Sequence, residues 1–176
     1  MIKTKFRKRD WNKTARLPDW DYGSNATYYV RIGTKDGKED FGLVSETQNF
    51  ASPGQNVHLK NILIPSEIGL IALRFWKEIP DHFPFVKLDR MILTPNQIHA
   101  IITIEKPGFK KWKPNKFGPQ TRNLPSIMRG FKAAVKKYAN LHSIDFYWLA
   151  GYDEKLILNN KELEELRNYL LEHNIA

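Results

Sequence analysis

The stretch Leu93-Thr94-Pro95-Asn96-Gln97-Ile98-His99-Ala100-Ile101-Ile102-Thr103-Ile104 limits the fold more than any other part of the chain. Thr94-Pro95-Asn96 is turn chemistry, because Pro fixes φ and Asn tolerates unusual backbone angles. The residues after it are β-branched and apolar, as a buried strand requires. Phe85 to Leu93 reads as the strand before the turn, so the two segments make a hairpin. Side chains two apart along a strand share a face. Gln97 and His99 therefore stand side by side, with Ile98 turned the other way. An amide oxygen and an imidazole on one face could form half of a cation site. A strand histidine with an ordinary hydrogen bond is the plainer account of His99.

The rest of the chain alternates strand and helix signals around that hairpin. Thr27 to Thr34 is rich in β-branched and aromatic residues and reads as a strand. Lys35-Asp36-Gly37-Lys38 is a hairpin turn by its Asp-Gly pair, with Phe41 to Glu46 as the partner strand. Asn49 to Gln55 reads as a loop, and Val57 to Leu63 as a short strand. Pro65-Ser66-Glu67 opens a helix, with Ile68, Ile71, Ala72, Phe75 and Ile79 at helical spacing; Pro80 and Pro84 end it. Leu124-Pro125-Ser126 starts a second helix, running to about Ala139. Its apolar stripe is Ile127, Met128, Phe131, Ala134, Val135 and Tyr138, and Arg129, Lys132, Lys136 and Lys137 occupy its other sides. Tyr152 to Leu158 reads as a strand or edge piece. Asn160 caps a last helix, with Leu163, Leu166, Tyr169 and Leu170 at helical spacing. This order predicts an α+β fold: an antiparallel sheet with helices packed on it, close to a ferredoxin-like plan.

A chain of 176 residues suits one domain, 1–176, with a basic N-terminal arm at 1–20. No apolar run is long enough to span a bilayer, and the arm lacks the apolar core of a signal peptide, so no membrane partner is expected. With no cysteine there is no disulfide framework and no thiolate metal site, and a cytoplasmic location is the default expectation. The formal net charge of +9 favours a polyanionic partner, with nucleic acid ahead of membrane. One basic cluster is the N-terminal arm. The other runs from Lys106 through Lys110, Lys111, Trp112, Lys113 and Lys116 to Phe117. Rings interleaved with lysines suit unpaired bases, which stack on the rings while the lysines hold phosphates. A solvated loop whose rings pack on the body explains the same composition. Arg129, Lys132 and Lys136 on the second helix extend the candidate DNA-binding set.

The last helix carries a second chemical pattern. Tyr169 and His173 are four apart and share one helix face. A tyrosine hydroxyl can act as a covalent nucleophile, and a histidine one turn away can hold a metal beside the target phosphate. By spacing alone, Tyr169 also serves as the end of an apolar stripe.

Taken in order, these pieces resemble the single-tyrosine HUH transposases, specifically the REP-associated tyrosine transposases. Leu17-Pro18-Asp19-Trp20-Asp21-Tyr22 followed by Tyr28-Tyr29-Val30 is similar to the family's opening. Met91-Ile92-Leu93-Thr94-Pro95-Asn96-Gln97-Ile98-His99 resembles its motif of two histidines flanking one hydrophobic residue. Leu124 to Val135, Tyr147-Trp148 through Gly151-Tyr152, and Asn160 to Tyr169 resemble its later helix, active-site approach and tyrosine helix. The resemblance implies an enzyme that cuts single-stranded DNA beside a folded hairpin of the REP-like palindrome type. Tyr169 would attack a backbone phosphate, giving a 5′-phosphotyrosine and a free 3′-OH. Gln97, His99 and His173 would occupy the positions of the Mg²⁺ or Mn²⁺ ligands. Two departures stand out: Gln97 replaces the first motif histidine, and Lys155 replaces a histidine near Tyr152. They favour an alternative, a catalytically weakened protein repurposed for binding DNA hairpins. A homodimer is left open as the assembly.

Overall fold

The two central strands of the main sheet, residues 26–33 and 97–104, are dense runs of β-branched and aromatic residues. The computed structural model describes residues 20–48, 59–108 and 121–173. The predicted arm up to residue 19, the segment predicted as a loop at 49–55, and the stretch holding Lys110, Lys111, Trp112, Lys113 and Lys116 lie outside the described residues. The strands are β1 (Ala26–Gly33), β2 (Gly42–Gln48), β3 (Leu59–Pro65), β4 (Val86–Leu93), β5 (Gln97–Ile104) and β6 (Asp153–Ile157). The helices are α1 (Glu67–Lys77), α2 (Ile79–His82), α3 (Leu124–Leu141) and α4 (Asn160–Glu172).

The main sheet has the order β4-β5-β1-β6, and its neighbouring strands are antiparallel. Following the chain, the sheet strands and the helices between them run β1, α1, β4, β5, α3, β6. That sequence with that strand order is the ferredoxin-like arrangement expected from the element pattern. The Thr94-Pro95-Asn96 turn joins β4 to β5 as expected, and Thr94 closes it by bonding Gln97 through both backbone and side chain.

One predicted pairing is corrected. The sequence suggested that β1 and the strand from Phe41 form a hairpin across Lys35–Lys38. Instead β2 pairs with β3 as a separate two-stranded ribbon, while both edges of β1 are taken by β5 and β6. Asp36 and Gly37 do make a turn with positive φ, at 57° and 68°. That turn redirects the chain out of the sheet. The reason is competition: eight register pairs with β5 bury β1 centrally, which a short local hairpin cannot match. Two boundaries also differ. Pro80 lies in the first turn of α2 rather than ending a helix, and Asn159, not Asn160, caps α4 by accepting from the Glu162 amide.

Strand alternation divides the sheet into two faces. On one, Tyr28, Val30, Ile32, Ile98, Ala100, Ile102 and Ile104 meet α1 and α3 in the main core. On the other, Tyr29, Ile92, Ile101 and Ile157 meet Leu166 and Leu170 of α4. α4 is thus a cover on the face opposite the two long helices. Among the described residues no helix is long and apolar enough to cross a membrane.

Candidate active site beneath the last helix

The α4 face of the sheet is apolar at one end and polar at the other. Register places Ile92, His99, Arg31 and Asp153 in one row across all four strands. The adjacent row holds Ile101, Tyr29 and Lys155. Side chains of one row lie within reach of each other, so the polar row is a continuous strip.

His99 sits in the middle of this strip. Its Nδ1 hydrogen-bonds the Tyr29 hydroxyl at 2.7 Å. Burial pushes the imidazole down to about 4, with the Arg31 charge and then His173 adding to the shift. At neutral pH the ring is uncharged and able to give a lone pair. Burial also pushes Tyr29 up to about 12, with Tyr169 contributing the next effect, so this phenol keeps its proton. Tyr29 therefore orients His99 and is a poor nucleophile. Arg31 donates through Nε (2.9 Å) and Nη2 (2.5 Å) to one oxygen of Asp153.

α4 brings Tyr169 and His173 to the same end. Leu166 and Leu170 seat the helix, Glu162 pairs with Lys155 at 2.5 Å, and Arg167 binds Asp89 of β4. The Tyr169 and His173 rings lie 4.1 Å apart, centre to centre. His173 Nδ1 is 2.8 Å from the Tyr169 carbonyl. A carbonyl only accepts, so Nδ1 is the donor here. Tyr169 packs on the cluster that contains Tyr29, and His173 is exposed with its ring against that of Tyr169.

Gln97 shares the His99 face of β5 and stands opposite Gly33, which offers no side chain. Gln97 and His99 thus share one face of β5, while His173 stands at the C-terminal end of α4 against the Tyr169 ring. Among the described residues no three His, Cys, Asp or Glu gather as a metal group. An amide oxygen with imidazole nitrogens, where they converge, suits a divalent cation that accepts nitrogen, Mn²⁺ better than Mg²⁺. Such a cation, if held by these residues, would supply Lewis-acid polarisation of a phosphate oxygen.

The described basic candidates behave differently from one another. Lys132 gives its ammonium to the carbonyls of Leu149 (2.7 Å) and Gly151 (2.6 Å), and burial lowers its pKa. Lys136 donates to the Phe146 carbonyl at 2.7 Å and lies over the Tyr147 ring. These two lysines staple the 146–151 segment to α3, a role their helical spacing did not signal. Lys106 donates to the Gly23 carbonyl at 2.5 Å and faces the Phe85 ring. Arg129 is exposed on α3. A cavity of about 390 Å³ between α1, α2 and α3, lined by Phe75, Phe83 and Phe131, contains none of the candidate residues.

Sequence reasoning missed Tyr29, Arg31 and Asp153. The available signal was alternation: Tyr29 and Arg31 share one face of a strand that pairing then sets beside His99.

Comparison with known proteins gives three findings. The chain is 27% identical over 169 residues to an uncharacterised protein of Haemophilus influenzae, covering 90% of this chain and 85% of that one. Its fold is similar to a solved REP-associated tyrosine transposase bound to a REP hairpin, with a TM-score of 0.51 and 12% identity over 89% of this chain and 72% of the other. A transposase candidate from Deinococcus radiodurans is more distant, with a TM-score of 0.43, 12% identity, and 87% and 94% of the two chains covered. No known family profile matches the chain.

Proposed function

We propose that this protein is a transposase-like enzyme that recognises single-stranded DNA hairpins, cutting and rejoining a strand through Tyr169. The observation that carries the reading is the placement of α4. It packs Tyr169, with the His173 ring against it, on the cluster of Tyr29, whose hydroxyl bonds His99. The Tyr169 oxygen would form a bond to phosphorus as the bond from phosphorus to the 3′ oxygen breaks. The phenol proton leaves to solvent, and the departing 3′ oxygen takes up a proton to become a 3′-OH. The 5′-phosphotyrosine conserves the bond energy, so a 3′-OH can later reverse the step. Gln97, His99 and His173 would hold Mn²⁺ or Mg²⁺. The solved structure similar in fold is of a protein bound to a hairpin, which supports hairpin DNA as the ligand class to test.

The test is incubation with a panel of labelled single-stranded hairpins and Mn²⁺. A covalent protein–DNA adduct is expected, lost in Tyr169→Phe while hairpin affinity stays nearly unchanged. An adduct that survives in Tyr169→Phe moves the nucleophile elsewhere, with Tyr152 the next to replace. A specific observation favours the second reading, a hairpin-binding protein with weakened cleavage. Gln97 stands where the resembling family has a histidine, and Lys155 is engaged with Glu162. Tight hairpin binding with no adduct under any metal would select that reading.

A further inference from the structure

We infer that Arg31 is a phosphate-binding residue of this site, contributing the permanent positive charge of the polar strip. The inference rests on the reading above and adds a residue to it. Three observations carry it. First, register puts Arg31 directly beside His99 on β5 and Asp153 on β6, on the sheet face that α4 covers. Second, Asp153 receives Nε and Nη2 through a single oxygen, which fixes the plane and heading of the guanidinium. Third, the Arg31 side chain is 21% exposed, so it is neither sealed in the core nor waving in solvent.

The charge balance explains why a cation matters at this spot. A phosphodiester carries a full negative charge, and the transition state of its cleavage places more on the equatorial oxygens. The Gln97 amide beside this row carries no charge of its own. Arg31 remains charged at any working pH and offers planar donors that match phosphate oxygens. A purely structural ion pair between neighbouring strands would need only the Asp153 contact and would be indifferent to a phosphate.

Two measurements separate the roles. The first needs no DNA. Inorganic phosphate is titrated at low ionic strength while the Arg31 Nε–H and His99 ring signals are followed by NMR. Saturable shifts at both groups are expected in the wild-type protein and in Tyr169→Phe. Absence of any Arg31 response overturns the inference. The second uses a hairpin selected from the panel above, with a neutral methylphosphonate placed at each flanking linkage in turn. In the wild type, one linkage should weaken binding about tenfold when neutralised, the effect of a lost charge-assisted bond. In Arg31→Met that linkage should no longer matter, whereas Arg31→Lys should keep a reduced response. An unchanged linkage profile in folded Arg31→Met sinks the inference even if the protein is a hairpin nickase. If Arg31→Met does not fold, Arg31→Lys decides by the same profile. If phosphate binds at Arg31 but no hairpin is retained, the DNA reading fails and the phosphate site stands.

Discussion

A single imidazole links stability to pH in this molecule. Burial, Arg31 and His173 hold His99 at about 4, below its ordinary value of 6.5. The unfolded chain therefore binds a proton in that window that the native state refuses. Stability is fully present above 6.5 and is lost as pH falls toward 4. The loss approaches about 3 kcal/mol at most for a shift of this size. Urea denaturation of the metal-free protein from pH 4 to 7.5 should show the slope, and His99→Gln should flatten it. An equally steep slope in His99→Gln would assign the effect to another group. Tyr29→Phe belongs to the same scale. It removes the hydroxyl that bonds His99; if His99 holds Mn²⁺ as proposed, the affinity should fall roughly 10-fold or more, the usual cost of losing the partner of a metal-ligating histidine. Calorimetric titration with Mn²⁺ checks this, and unchanged affinity would leave Tyr29 a packing residue only.

Two elements can be tested as units. α4 is held by a small apolar cluster in which Leu166 and Leu170 are the buried helix residues. Leu166→Ala should cost about 2–4 kcal/mol locally. Amide exchange should then accelerate through α4 far more than through α3, because α3 belongs to the larger core on the other face. Uniform acceleration in both helices would show that the two cores unfold together. α1 depends on Gly69 for a different reason. A Cβ there would lie 2.1 Å from the Phe41 carbonyl oxygen, a backbone atom that cannot step aside. Gly69→Ala should destabilise by roughly 1–3 kcal/mol despite its better helix propensity. A melting temperature equal to the wild type would contradict the close approach of helix to ribbon.

The molecule as a whole carries a net charge of +9, which bears on association more than on fold. If it binds hairpin DNA, affinity should drop by roughly a hundredfold or more between about 50 and 200 mM salt. Filter binding across that range measures the slope, and a flat response would exclude a phosphate-dominated interface. The described lysines add a qualification to the charge count. Lys132 and Lys136 satisfy carbonyls of their own chain, so substituting them should loosen the 146–151 segment along with any effect on binding.

Local patterns determined much of this protein directly. Turn chemistry at Thr94–Asn96 and alternation through Ile104 specified the central hairpin and put Gln97 and His99 on one face. Helical spacing specified α3 and α4 and set Tyr169 one turn before His173. These are short-range effects, written in neighbouring residues. Only the tertiary structure decided the partners of β1, because Asp36-Gly37 supports a turn equally well whether it closes a hairpin or leaves the sheet. The same holds for the site. Its polar strip joins His99 to residues 70 positions away at Tyr29, and Arg31 to one 122 positions away at Asp153. No periodicity spans such separations. They were settled by which strands bury the most apolar surface together, and the polar groups were carried into contact by that choice.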